Sequence, residues 1–107
     1  MSCCVLYTTV ATEADAEELA ASLLADGVVA CVNITAGRSV YRWNGKLEKD
    51  TEVFLLCKTT QMKRAAAIRL IETLHPYEVP CVMSWDIARG SEAYLEWIDE
   101  EVRRNSD

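Results

Sequence analysis

A single histidine, a single phenylalanine, two prolines and four glycines are spread over 107 residues, and several kinds of site lack the material to exist. The glycines, Gly27, Gly37, Gly45 and Gly90, stand apart as turn and cap residues, so no glycine-rich loop is present to cradle a phosphate. No two of the five cysteines form a Cys-x-x-Cys pair, and the count is odd, which argues against both a redox motif and a disulfide framework. No apolar run approaches the roughly 18 residues that a membrane span requires. Basic residues are also few: 11 Lys and Arg face 17 Asp and Glu, for a net charge of −6. None of the basic residues form a stripe along which a phosphate backbone could lie, so nucleic acid is not an expected partner. The amino-terminal stretch Met1-Ser2-Cys3-Cys4-Val5-Leu6 has no basic region ahead of its apolar residues. No secretory or transit peptide is read there, and the cytoplasm is the expected compartment.

Half of the residues are apolar and 26% are charged, a balance that excludes disorder and suits one domain over residues 1–107. Cys31, Cys57 and Cys81 lie inside apolar runs, where a reduced thiol behaves as a small hydrophobe. Cys3 to Thr9 reads as a strand, and Thr12-Glu13-Ala14-Asp15 is a variant capping box that opens a helix. Ala16, Leu19, Ala20, Leu23 and Leu24 then follow helical spacing, with Gly27 as the stop. Val28 to Thr35 reads as a second strand, continued through Ser39-Val40-Tyr41-Arg42-Trp43 to the hairpin turn Asn44-Gly45. Glu52 to Thr59 returns as a third strand. A helix follows, with Ala67, Leu70, Ile71 and Leu74 on one face, ended by Pro76. Val79 to Asp86 is read as a fourth strand, and Gly90-Ser91 caps a last helix with Tyr94, Leu95, Ile98 and Val102 inward.

This order is α+β: a ferredoxin-like βαββαβ sandwich with an extended hairpin, a C-terminal helix and a four-stranded antiparallel sheet. Val28-Val29-Ala30-Cys31-Val32 and Val53-Phe54-Leu55-Leu56-Cys57 are apolar at both parities, so both sheet faces need cover. Self-association is the simplest source of that cover, with Tyr41, Trp43 and Leu47 on the hairpin as further packing surface. The alternative is that the last helix covers the far face.

His75 is the only histidine and stands in His75-Pro76-Tyr77-Glu78-Val79-Pro80, at a junction of helix and strand. It has three readings: general base, metal ligand, or a helix C-cap in which an imidazolium complements the dipole. His75, Glu78 and Cys81 form a His-x-x-Glu-x-x-Cys series of ligand types that suit copper or zinc. Cys3 and Cys4 are adjacent on a strand and point to opposite faces, which opposes chelation by both. No nucleophile loop accompanies His75, so an ordinary enzyme is not indicated. The indoles of Trp43, Trp85 and Trp97 fit packing better than ligand stacking.

Five ordered segments, Ala30-Cys31-Val32-Asn33-Ile34, Ser39 to Gly45, Lys58-Thr59-Thr60, His75 to Pro80 and Tyr94-Leu95-Glu96-Trp97-Ile98, together resemble the CutA family of divalent-cation tolerance proteins. The resemblance implies a cytoplasmic, non-catalytic homotrimer whose hairpin arms reach onto neighbours. It also implies involvement in the response to metal ions and binding of copper, as Cu(I) or Cu(II), with no organic cofactor. The copper ligands proposed for that family are a first-strand cysteine, the histidine of the His-Pro-Tyr segment and a glutamate just after the second proline. Here the first position aligns with Tyr7, with Cys3 and Cys4 nearby, and the last is Cys81. Some members carry a second histidine where Leu74 stands. The candidate metal ligands are therefore His75, Cys81, Glu78 and Cys4. The family's likeness to the PII signalling trimers adds an alternative, a small-molecule sensor with Lys58, Arg42 and Tyr77 lining an inter-subunit cleft. A further alternative is a trimeric scaffold without a ligand.

Overall fold

Thr12 begins the first helix as the sequence predicts: its side-chain oxygen accepts the Asp15 N–H at 3.1 Å, satisfying one of the free donors of the first turn. The computed structural model describes residues 2–104; Met1 and residues 105–107, which the single-domain reading includes, lie outside them. The elements are β1 (Cys3–Val10), α1 (Glu13–Ala25), β2 (Cys31–Trp43), β3 (Lys46–Thr60), α2 (Arg64–Leu74), β4 (Val82–Asp86) and α3 (Glu92–Arg104). A 3-10 turn, Gln61–Lys63, leads into α2. The sheet runs β2-β3-β1-β4 with every neighbouring pair antiparallel, the strand order of the ferredoxin-like plan. Among the described residues no helix is long and apolar enough to cross a membrane.

Strand parity divides the sheet. Cys4, Leu6 and Val10 of β1 and Val53, Leu55 and Cys57 of β3 join Leu19, Leu23, Ala67 and Ile71 of α1 and α2 in one buried cluster. The intervening residues, Val5, Tyr7, Phe54, Leu56, Met83 and Trp85, occupy the far face by the alternation of strand side chains. Only α3 lies on that side, against the ends of β1 and β3, with Ile98 and Val102 buried beneath it. The far face is thus covered at one end only: Leu56, Met83 and Trp85 are 37%, 51% and 46% exposed. Tyr94 and Trp97 are also exposed, stacked with their ring centroids 5.7 Å apart.

Two strands start later than the sequence suggests. β2 opens at Cys31 rather than Val28, because Val28 and Val29 are spent on the turn into the core. Thr59 donates its hydroxyl to the Val28 carbonyl at 2.7 Å, and strand pairing starts at Cys31 opposite Lys58. β4 opens at Val82 rather than Val79 because Pro80 has no N–H for a ladder and restricts the residue before it. The hairpin is longer than read, with β3 starting at Lys46. Asn44 and Gly45 both have positive φ, 51° and 78°, the pair of left-handed residues that a type I′ turn requires.

Gly37 is required for a different reason. The Phe54 ring lies diagonally across it, and a Cβ on Gly37 would collide with the Phe54 Cε2 atom. A Gly37→Ala substitution is expected to lower stability by roughly 1–3 kcal/mol in chemical denaturation, as overpacking does. In a Phe54→Ala background the same substitution should cost much less. Equal costs in both backgrounds would show that the ring does not impose the glycine.

Candidate functional site

α2 has to stop at His75 because Pro76 follows, and a residue before proline is pushed out of helical geometry. His75 accordingly has extended backbone, φ −70° and ψ 134°, while its N–H still donates to the Ile71 carbonyl at 2.9 Å. The ring turns back to the sheet. Its Nδ1 accepts the Tyr77 N–H at 3.1 Å, and its Nε2 lies 2.7 Å from the Thr9 carbonyl, a group that can only accept. These bonds place the ring proton on Nε2. His75 is buried, its ring 4.8 Å from that of Tyr77, and it ties the end of β1 to the loop leading to β4.

The loop so held forms one wall of an open cavity of about 610 Å³ on the far face of the sheet; the hairpin forms the other. Tyr77, Glu78 and Cys81 come from the loop, and Tyr41, Trp43, Asp50 and Glu52 from the hairpin. Tyr77 donates its hydroxyl to Glu52 Oε2 at 3.0 Å, and Ser39 donates to Glu52 Oε1 at 2.5 Å. The Tyr41 hydroxyl donates to Asp50 Oδ2 at 2.5 Å. Burial and the bond to the Glu52 carboxylate push Tyr77 up to about 12, and the bond to Asp50 takes Tyr41 to about 12. Burial, then the charge of Glu52, raises the Cys81 thiol, so it keeps its proton.

The residues proposed from sequence are not brought together. Both His75 nitrogens are engaged, one as donor and one as acceptor, which leaves no free lone pair for a metal. Glu78 is exposed and Cys81 half-buried beside the same cavity. Cys4 lies on the opposite face, fully buried under the helices, with its thiol directed at the Thr60 carbonyl at 3.6 Å. Among the described residues no three His, Cys, Asp or Glu side chains converge as a group able to hold a metal ion. The donors of one chain therefore do not fit a copper or zinc ion. Of the cleft candidates only Tyr77 lines the cavity. Lys58 lies under α3 with its ammonium 3.6 Å from Cys31 Sγ, and Arg42 is exposed on the hairpin.

Asp50 and Glu52 were not singled out from the sequence, although a signal for them existed. A two-residue Asn44-Gly45 turn sets the register of the whole hairpin, placing Ser39 opposite Asp50 and Gly37 opposite Glu52. Counting outward from that turn puts Ser39, Tyr41, Asp50 and Glu52 on one face.

His75→Ala is expected to lower stability by about 2–4 kcal/mol in denaturant unfolding, since it leaves the Thr9 carbonyl and Tyr77 N–H without partners. A loss under about 0.5 kcal/mol, the range of an ordinary surface substitution, would show that the ring does not hold the loop.

This chain is similar to proteins already described. The family model for the CutA1 divalent ion tolerance protein matches residues 4–101. The divalent-cation tolerance protein CutA of Thermus thermophilus is 39% identical over 99 residues, covering 92% of this chain and 96% of that protein. The protein CutA homolog of Xenopus laevis is 39% identical over 97 residues, which are 90% of this chain; the chain spans 64% of that protein's length. The crystal structure of CutA from Xylella fastidiosa superposes with a TM-score of 0.92 at 32% identity, covering 95% of this chain and 99% of that one. By the match to nearly its whole length and by its fold, the chain belongs to the CutA1 divalent ion tolerance family.

Proposed function

We propose that this chain is a non-catalytic divalent-cation tolerance protein of the cytoplasm that works as a homotrimer and binds copper or a similar divalent metal. The observation that carries the cation reading is the charge of the cavity. Asp50, Glu52 and Glu78 line it together with Cys81, and no Lys or Arg is among its lining residues. A wall of that composition draws cations and repels nucleotides and organic acids. The names of the relatives, divalent-cation tolerance protein, agree with it.

The trimeric arrangement implied by the family resemblance is supported by the uncovered face. Leu56, Met83 and Trp85 are exposed on the sheet, and Val40, Trp43 and Leu47 on the hairpin arm. Covering side chains of this size contributes on the order of 1 kcal/mol or more each, enough to hold an assembly together. Assembly also bears on the metal. One chain offers Cys81 and Glu78 at the cavity without a converging third donor, so we assign completion of a copper site to a second copy of the chain.

A second reading, a sensor of small molecules, draws on Tyr41, Trp43 and Tyr77, which give the same cavity an aromatic wall. Its ligand would be an organic cation, since aromatic faces and carboxylates both favour positive charge. Native mass spectrometry of the reduced protein with copper, zinc or neither reads assembly and metal count together. A trimer taking up about one copper per subunit, with uptake lost in Cys81→Ser, is the expected result. Uptake unchanged in Cys81→Ser would overturn the site, and a trimer that stays metal-free would transfer the cavity to the organic-cation reading.

A further inference from the structure

Five free thiols are present, and their surroundings differ sharply. Cys3, Cys4 and Cys57 are 2%, 0% and 0% exposed. Cys3 and Cys4 direct their thiols at the carbonyls of Leu95 and Thr60, and burial pushes Cys57 up to about 12. Cys81 is half-buried beside the Glu52 carboxylate, whose charge, after burial, keeps it protonated. Cys31, half-buried like Cys81, is the one of these two that stands beside a cation. It is the first residue of β2, directly opposite Lys58 of β3, and the two side chains stand together on the far face at the α3 end. The Lys58 ammonium donates to Cys31 Sγ at 3.6 Å, and Tyr94, from the first turn of α3, brings its hydroxyl to 3.4 Å from the same sulfur. The bond to Cys31 raises the Tyr94 hydroxyl, then burial adds to it, so the tyrosine keeps its proton. The sulfur is therefore positioned to accept two hydrogen bonds, one from a cation.

We propose that the cluster of Cys31, Lys58 and Tyr94 is a thiol-modification site, at which Cys31 is the cysteine of this protein that reacts first with low-molecular-weight disulfides. The metal and cavity readings do not enter it. The Cys31 sulfur attacks one sulfur of the disulfide, a new S–S bond forms to Cys31, and the original S–S bond breaks. The departing sulfur leaves with the electron pair and takes up a proton, while the proton of the Cys31 thiol goes to solvent. Cys31 is oxidised, the released thiol is the reduced product, and the disulfide is the only oxidant. Lys58 and Tyr94 act as positioning residues, holding the negative charge that sulfur carries as it attacks. Cys31 opens edge strand β2 at the α3 end, with Met83 and Trp85 on the other edge and Leu56 the next far-face residue beside it, so its reactivity is read in the native assembly.

The test uses the whole reduced protein in its native assembly, incubated with oxidised glutathione at neutral pH, quenched with acid and mapped by peptide mass spectrometry. The expected result is an adduct on Cys31 before Cys81 and none on Cys3, Cys4 or Cys57 over the same time. In denaturant all five should react at similar rates. Lys58→Met should slow modification of Cys31 by roughly tenfold and Tyr94→Phe by a few-fold, with Lys58→Arg close to the parent. Should Lys58→Met fail to fold, Tyr94→Phe and Lys58→Arg still decide. Modification of Cys81 first, no adduct on Cys31 in the native assembly, or parent rates in Tyr94→Phe and Lys58→Met would each overturn the proposal.

Discussion

The four-stranded sheet carries apolar side chains on both faces, and one chain has too few helices to cover both. α1 and α2 close one side over Leu6, Val10, Leu55 and Ile71, all of which are fully buried. α3 reaches the other side only at the ends of β1 and β3. Much else follows from that shortfall: the exposed Leu56, Met83 and Trp85, and a cavity that opens on the uncovered face. Helix placement also separates the thiols. It buries Cys4 and Cys57 on the covered side and leaves Cys31 beside Lys58 and Tyr94 at the seam with α3.

The cavity depends on two local devices. One is His75, whose ring joins the Thr9 carbonyl to the Tyr77 N–H and so fixes the loop that carries Tyr77, Glu78 and Cys81. The other is the Asn44-Gly45 turn, whose register brings Ser39 and Tyr41 beside Glu52 and Asp50. The Tyr77 to Glu52 hydrogen bond then joins loop to hairpin. Histidine suits this position because it donates from one ring nitrogen and accepts at the other, a pairing that neither lysine nor a carboxylate could supply. The same double use withdraws it from metal coordination.

Much of this was legible in the residues. The Thr12 cap, the helical spacing of Ala16 to Leu23, the Asn44-Gly45 turn and the apolar strands at both parities are local signals, and each led to the element observed. Other features depend on partners distant in the chain and have no local signature. The start of β2 is set by Thr59 taking the Val28 carbonyl, and that of β4 by the rigidity around Pro80. The C-cap reading of His75 had the right place but the wrong atom: its backbone N–H meets Ile71, while the imidazole binds Thr9, 66 residues away. The ligand types of His75, Glu78 and Cys81 are visible in the sequence, and so are the prolines that keep the segment from presenting them together as a helix would, whereas the direction of each side chain on that loop is not.

The central claim is that the far face is covered by further copies of the chain, and small-angle X-ray scattering tests it directly. A single chain has a Cα radius of gyration of 14.4 Å. The account predicts a larger radius and roughly three times the chain mass in the forward scattering, both stable on dilution. A radius near 14.4 Å with the mass of one chain would contradict it, because the exposed face would then be left to water.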